Sequence, residues 1–183
     1  PGPLSLVFLT QLPGSQTEAI MDVGARVPCT RAGEAFGEDL VNVLSTQESY
    51  EDVRLPQGVG KVLHGGQKLA VETHFVNETG EPIPARAKLS FHLIDASTVE
   101  HVARAASFEN VTIYTPPGGR SSHLGECAVR EEMQVSMLQR RTQRFATGFT
   151  VWRSGGAREG ELVWDSRDQN DRRYEPTEPL HLL

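Results

Sequence analysis

KLAVETHFVNETGEPIPARAKLSFHL, residues 68–93, contains two runs of alternating apolar and polar residues on either side of a turn-forming segment. In the second run, Ala85–Leu93, every other residue is apolar, and this period of two is typical of a strand that buries one face. The first run, Lys68–Val76, alternates in the same way. The intervening Asn77–Pro82 is rich in turn formers. The stretch therefore predicts an antiparallel hairpin.

Other short strand signals surround this hairpin, separated by turn clusters such as Pro116–Gly119 and Ser154–Gly156. The apolar opening, Leu4–Leu9, is interpreted as a first strand. Gly37–Tyr50 is the best candidate for a short helix, because its apolar residues recur at helical spacing. The further predicted strands are Asn110–Tyr114, Met133–Leu138, Thr147–Arg153 and Glu161–Asp165. The tail that follows, Ser166–Arg173, is polar and is predicted to be a loop. Short strands at this spacing predict an all-β fold of the sandwich or jelly-roll type.

The bulk properties narrow the class of protein. A chain of 183 residues, 38% hydrophobic and 23% charged, is typical of a globular protein with one or two domains. Its net charge of -6 provides no basic field for phosphates, so nucleic-acid binding is not expected. No apolar run is long enough for a transmembrane segment. A shift in composition across residues 95–106 predicts two domains, residues 1–97 and residues 98–183.

Two cysteines, Cys29 and Cys127, lie far apart in the sequence. Three arrangements are compatible with them: one disulfide, two free thiols, or pairing with cysteines outside this chain. Two thiolates are too few for a thiolate metal site, and neither cysteine belongs to a C-x-x-C pair.

Two pairs of segments have an unusual residue pattern: Leu55–Gly60 with Gly66–Asn77, and Gly125–Val129 with Ser136–Phe145. The first pair resembles the LPxGvG…GxxLxlxxHYxN segment of the copper type II, ascorbate-dependent monooxygenases. The second pair is similar to the segment in which that family has a cysteine and then a SHMHxxGxxF-like run. The resemblance covers residues 55–170, with a looser fit before them.

The resemblance implies tandem antiparallel β-sandwich (jelly-roll-like) domains and an extracytoplasmic location, periplasmic or secreted. In the family each sandwich holds one copper, bound by three histidines in one domain and by two histidines and a methionine in the other. His74 falls on a histidine ligand of the first copper. The other two ligand positions of the first copper fall on Asp22 and Val23. The histidine positions of the second copper fall on Met137 and Gln139. His74 is thus the sole family ligand retained.

His74 is expected to be an inherited structural histidine rather than part of a complete metal site. Pairing of Val76 with Ala85 would set the register of the predicted hairpin. His92 would then lie opposite Leu69, on the other face of the sheet from His74. No second imidazole is therefore expected near His74.

The resemblance also bears on the cysteines. In the family, the cysteines that match Cys29 and Cys127 lie in different sandwiches and pair within their own domains. Neither family partner is present here. The resemblance therefore implies that both are unpaired or bonded to another chain.

Motifs for other chemistry are weak, and no catalytic residue is assigned. Arg140–Arg144 is interpreted as a solvated loop, because acidic residues are close in sequence. Ser121–His123 is a loop tripeptide without a nucleophile elbow. Gly58–Gly60 lacks the third glycine of a dinucleotide site. Asn77–Thr79 and Asn110–Thr112 match the N-glycosylation sequon.

The second sandwich is expected to be incomplete, because the family's second domain continues past Leu183. One sheet without a covering layer leaves an apolar face in water. The free-energy cost of such exposure is about 25 cal/mol for each Å² of apolar surface. Trp152 and Trp164 are candidate partner-binding residues, since tryptophan is enriched at binding hot spots. The side chains expected on the uncovered face are Val111, Ile113, Val135, Val151, Leu162 and Trp164.

Together these observations predict a non-catalytic accessory or structural subunit that binds another protein chain and needs no cofactor. The alternative is a copper-dependent monooxygenase or copper-binding protein with rearranged or missing ligands, of which His74 would be one. Under the first prediction, the chain holds no stoichiometric copper.

Overall fold

The computed structural model describes residues 5–11, 24, 26, 40–108, 110, 112–142 and 145–182. The regular structure of these residues consists of eleven strands and one 3₁₀ turn, so the predicted all-β class is confirmed. None of the described helical structure is long and apolar enough to cross a membrane. The chain divides into two compact units, residues 1–107 (unit 1) and residues 108–183 (unit 2). The predicted division after residue 97 falls within unit 1 and stays a prediction.

Unit 1 contains a three-stranded antiparallel sheet in the order β2-β1-β4 and a separate parallel pair, β3 with β5. The central strand of the sheet is the apolar opening of the chain, as predicted. A β-bulge interrupts its pairing with β2 between Phe8 and Leu9. The elements of unit 1 are β1 (Ser5–Gln11), β2 (Leu40–Thr46), β3 (Val59–Gly60), β4 (Leu69–His74), the 3₁₀ turn (Ala96–Thr98) and β5 (His101–Val102).

The helix predicted within Gly37–Tyr50 is wrong, because its central residues form β2. The apolar spacing of this stretch fits a helix, but Val41, Val43 and Thr46 are β-branched and favour strands. Pairing with β1 then satisfies the backbone groups of β2 through a ladder rather than a helix. Tertiary pairing therefore outweighed the local periodicity.

The second half of the predicted hairpin is not formed. Residues 85–93 have no regular secondary structure, and β4 pairs with β1 in a register that places His74 opposite Ser5. Phe91 is exposed, and Leu93 is 84% exposed. Alternation specifies which face a strand would bury, whereas the neighbouring backbone that completes a ladder is chosen by tertiary pairing. The strand prediction for Ala85–Leu93 is therefore wrong for this structure.

Unit 2 consists of three two-stranded antiparallel ladders, β7 with β10, β6 with β11, and β8 with β9. The predicted strands Met133–Leu138, Thr147–Arg153 and Glu161–Asp165 each contain or overlap observed strands. Asn110–Tyr114 has no strand among its described residues. The polar tail after Asp165, predicted as a loop, supplies two strands, because its backbone pairs with β6 and β7. The strands of unit 2 are β6 (Met133–Val135), β7 (Leu138–Gln139), β8 (Phe149–Trp152), β9 (Leu162–Ser166), β10 (Arg173–Tyr174) and β11 (Leu180–Leu182).

An aromatic cluster (the Trp164 cluster: Phe149, Trp164 and Tyr174) forms the core of unit 2. Trp164 is 5% exposed and is the one buried large apolar residue among those whose burial is described. Its ring meets Phe149 edge to face, with centroids 5.4 Å apart, and stacks on Tyr174 at 6.1 Å. Its indole Nε1 donates a hydrogen bond of 3.3 Å to Oδ2 of Asp171. The indole is therefore packed on both sides and satisfied at its polar atom.

Candidate functional site

His74 lies at the end of β4 with about half of its side chain exposed. Its Nε2 is 2.5 Å from Oε1 of Glu72. Residues two apart in a strand project to the same face, so the strand itself brings the two groups together. The pair places an imidazole and a carboxylate side by side on an accessible face of unit 1.

The donors around His74 do not fit the copper site that the resemblance implies. A bound Cu(II) requires about three or four well-placed ligands, whereas the neighbour here is a single carboxylate, that of Glu72. Among the described residues, no group of three or more His, Cys, Asp or Glu side chains is placed to hold a metal ion. Of the other family positions, residues 22–23 lie outside the described residues, and Met137 and Gln139 belong to unit 2.

The Leu55–Gly60 segment of the family resemblance forms a tight turn with a structural explanation. The amide of Val59 donates to the carbonyl of Pro56 at 3.0 Å, and Gly58 has a φ of +76°, as the third position of a type II turn requires. At Gly60, an added Cβ would lie 2.9 Å from Cγ2 of Val99. Both glycines are therefore accounted for by backbone conformation and close packing.

Lys61 follows this turn, and its Nζ donates to the main-chain oxygen of Val43. Val43 is the residue that the register between β1 and β2 passes over at the bulge. The ammonium thus satisfies a carbonyl at an irregular point of the ladder. Burial lowers the pKa of Lys61 below its ordinary value, but its attachment to a backbone carbonyl indicates a structural role.

Trp152 and Trp164, the two predicted partner-binding residues, lie in different environments. Trp164 is enclosed in the aromatic cluster, so the expectation that it lies on an uncovered face is wrong. The reason is that the C-terminal tail folds back and supplies Tyr174 as a covering ring. Trp152 is 52% exposed and stands opposite the exposed Leu162 across β8 and β9. Trp152 stays a candidate contact residue.

Four exposed large apolar side chains of unit 2 lie before its first strand, in residues 108–132 (the open segment). Its described residues form no strand or helix. The sequence predicted a strand at its start, Asn110–Tyr114, and a turn cluster at Pro116–Gly119, whose prolines and glycines are a signal against regular structure. Its exposed large apolar residues are Phe108, Ile113, Tyr114 and Leu124.

Cys127 lies within the open segment, is exposed and forms no disulfide. Cys29 lies outside the described residues, so the predicted state of that cysteine stays a prediction. An exposed thiol within the open segment offers a natural position for a chemical probe.

Arg140 was predicted to lie in a solvated loop, and this prediction is wrong, since its side chain is 2% exposed. The tail covers it: the backbone amide of Arg140 donates to the carbonyl of Arg172 at 3.0 Å, and its guanidinium donates to the carbonyl of Asp168. Its Nε and Nη1 are buried without a hydrogen-bond partner. A buried guanidinium with unmade hydrogen bonds weakens the unit rather than stabilising it. No sequence signal distinguishes it from its arginine neighbours.

Comparisons with protein-family models, with curated proteins and with solved structures find no match to this chain. The resemblance to the copper monooxygenases therefore stays a prediction. Function is inferred below from the chain's own residues.

Proposed function

We propose that this chain is a non-catalytic accessory or structural subunit that binds another protein through the open segment of unit 2. The observation that carries the proposal is the exposure of four large apolar side chains there, with Leu124 at 78%. Leaving such surface in water costs about 25 cal/mol per Å². Exposed large apolar side chains of this kind are typical of a protein interaction site when a partner covers them.

The chemistry of the open segment indicates the class of partner. Residues 108–132 contain four acidic and two basic residues, so the segment has no basic character that would favour nucleic acid or an anionic lipid surface. Tyr114 and Phe108 provide aromatic anchors of the kind enriched in protein–protein interfaces. The exposed Trp152 adds a further contact of the same kind. A protein with an apolar groove is the partner that these side chains fit.

The proposal includes an architecture and a location that rest on the family resemblance alone. The architecture is a tandem antiparallel β-sandwich, and the location is extracytoplasmic. The support for both is the resemblance of residues 55–77 and 125–145 to the copper monooxygenases. The all-β character of both units is consistent with that architecture.

The test uses the natural thiol of Cys127. In a Cys29→Ser background, a photoactivatable maleimide is attached to Cys127 and the protein is irradiated in an extract of its source. The cross-linked partner is identified by mass spectrometry, purified, and returned to the unlabelled chain. Hydrogen exchange then measures amide protection across residues 108–132 with and without that partner. We expect fast exchange in the chain alone and at least tenfold slower exchange in the complex.

A matched pair of variants controls the experiment. Replacing Phe108, Tyr114 and Leu124 by serine is expected to abolish the protection, whereas Val62→Ser with Leu63→Ser, at exposed sites of unit 1, leaves it intact. Slow exchange across the open segment in the isolated chain would contradict the proposal. Equal binding by both variants would contradict it too.

The alternative function, a copper-binding protein with rearranged ligands, is favoured by one observation, the contact between His74 and Glu72. Its test is equilibrium dialysis against Cu(II), followed by washing and metal analysis. Under our proposal less than one copper per chain is retained, because two ligands are too few for tight binding. Retention of one copper per chain, lost on His74→Ala and kept on His64→Ala, would favour the alternative.

A further inference from the structure

The sheet of unit 1 ends at an edge with which no described strand pairs. β4 pairs with β1 on one side, and no described strand pairs with its other side. Such an edge presents backbone donors and acceptors in the geometry that accepts another strand. Leu69 and Val71 are exposed on the same strand, so an added strand would also cover apolar side chains.

The chain that follows β4 already forms an ordered turn. Oδ1 of Asn77 accepts hydrogen bonds from the amide and the hydroxyl of Thr79, at 3.0 and 2.7 Å. Nδ2 of Asn77 donates to the carbonyl of Glu81 at 2.7 Å. Gly80 has a φ of +75°, a conformation that a tight turn often requires and that glycine adopts at little cost. This turn is the loop that a hairpin between β4 and the following residues would need.

Residues 85–93 can pair with the free edge of β4 in a register that is centred on Gly80. In this register both the apolar faces and the charges of the two segments are complementary. In that register Val71 stands opposite Leu89, so apolar residues share one face. Glu72 stands opposite Lys88 on the other face, and opposite charges at such positions attract. A shift of one residue, which pairs Val76 with Ala85, sets apolar positions against polar ones.

We propose that residues 85–93 are a strap that closes on the outer edge of β4 in the same chain and extends the sheet to the order β2-β1-β4-strap. The open arrangement and the closed one then differ in whether that edge is accessible. Closure within one chain is favoured over exchange between two copies, because a short loop holds the strap at an effective concentration of about millimolar. All the residues involved lie in unit 1, so the strap is independent of the partner proposed for unit 2.

The experiment traps the closed state by a disulfide. In a Cys29→Ser, Cys127→Ser background, Thr73→Cys is combined with Ala87→Cys, a pair that the proposed register sets directly opposite. The matched control combines Thr73→Cys with Ser90→Cys, which the same register places on the other face. After mild oxidation at micromolar protein, non-reducing peptide mapping and sizing measure the bond and its molecularity. We expect an intramolecular bond in the first variant, at least tenfold more of it than in the control.

Charge variants test the register without relying on the cysteines alone. Adding Lys88→Glu to the first variant sets like charges opposite at Glu72 and is expected to slow cross-linking roughly threefold. Adding Glu72→Lys as well is expected to restore the rate. A disulfide-linked dimer would overturn closure within one chain. Equal cross-linking of the matched and control pairs, or none in either, would overturn the strap.

Discussion

Residues 85–93 of unit 1 and the β8–β9 hairpin of unit 2 were both predicted from the sequence to form strands, but their surroundings are opposite. In the hairpin, the backbones of Arg153 and Glu161 are joined by a hydrogen bond of 2.9 Å, and Trp164 is buried behind them. In residues 85–93 no ladder forms and Leu93 is almost fully exposed. Alternation specifies a face, but burial requires a second surface to pack against that face. In unit 2 the C-terminal tail is that surface.

Arg153, at the start of the loop of the hairpin, forms an ion pair and a long-range hydrogen bond. Nε of Arg153 lies 2.8 Å from Oε2 of Glu161, and Nη1 of Arg153 donates to the carbonyl of His181 in β11 at 2.6 Å. One side chain thus links β8 to the end of the tail. Residues 85–93 have no corresponding link to a distant strand among the described contacts. The two regions therefore differ in their long-range contacts.

The largest expected effect is at the centre of the aromatic cluster. Trp164→Ala removes a buried indole and is expected to lower the free energy of unfolding by about 3–5 kcal/mol. Trp152→Ala, at the exposed tryptophan, is expected to change it by less than about 1 kcal/mol. Urea denaturation followed by circular dichroism measures both. Equal losses in the two variants would remove the contrast between buried and exposed positions on which the comparison depends.

A smaller effect is expected where unit 1 is packed closely. Gly60→Ala places a Cβ 2.9 Å from Cγ2 of Val99, and such overpacking is expected to cost about 1–3 kcal/mol. Gly65→Ala is the matched control, since nothing lies within 4 Å of its added Cβ. Thermal unfolding of the two variants measures the difference. If Gly60→Ala left the melting temperature unchanged, Val99 would have to move away at no cost, and unit 1 would be loosely packed around Gly60.

The exposed residues 85–93 are expected to tolerate substitution. Leu93→Ser is expected to alter the free energy of unfolding by less than about 0.5 kcal/mol, the usual range for surface positions. Phe149→Ser, in the aromatic cluster, is the comparison and is expected to cost several times more. Denaturant titration of both variants provides the test. A large loss for Leu93→Ser would show that this side chain is covered in solution.

The smallest effect is a pH dependence within the hairpin. A hydrogen bond from Thr150, and then one from Arg167, holds the pKa of Asp165 below its ordinary value. A carboxyl whose pKa is lower when folded contributes stability above its unfolded pKa of about 4, and this is lost as the pH falls through the folded pKa. Asp165→Asn is therefore expected to reduce the fall in melting temperature between pH 5 and pH 2.

Thr150→Val is the matched variant for this test, because it keeps the carboxylate and removes the hydrogen bond that contributes most to the lowering of its pKa. Melting curves recorded across the acid range should show an intermediate slope for it. Identical slopes for the wild type and both variants would mean that the hydrogen bonds of Asp165 do not persist in solution.

The sequence by itself determined the all-β class and the positions of several strands. β1, β4, β8 and β9 were predicted because apolar runs, alternation in the case of β4, and Gly- and Pro-rich turns are local properties of the chain. The tight turn at Gly58 is likewise a local property of the chain. The close packing that requires a glycine at position 60 is not local, because it depends on Val99. His74 was also singled out from the sequence, by the resemblance to the copper monooxygenases, and the structure adds its contact with Glu72.

Only the tertiary structure decided which of these segments found partners. Residues 40–46 form a strand because they pair with β1, and β4 pairs with β1 on one edge while residues 85–93 form no strand. The burial of Trp164 and Arg140 depends on a polar tail whose own sequence predicts a loop. Burial and strand pairing are set by contacts between residues far apart in the chain. A local pattern contains no information about which distant segment will pack against it or pair with it.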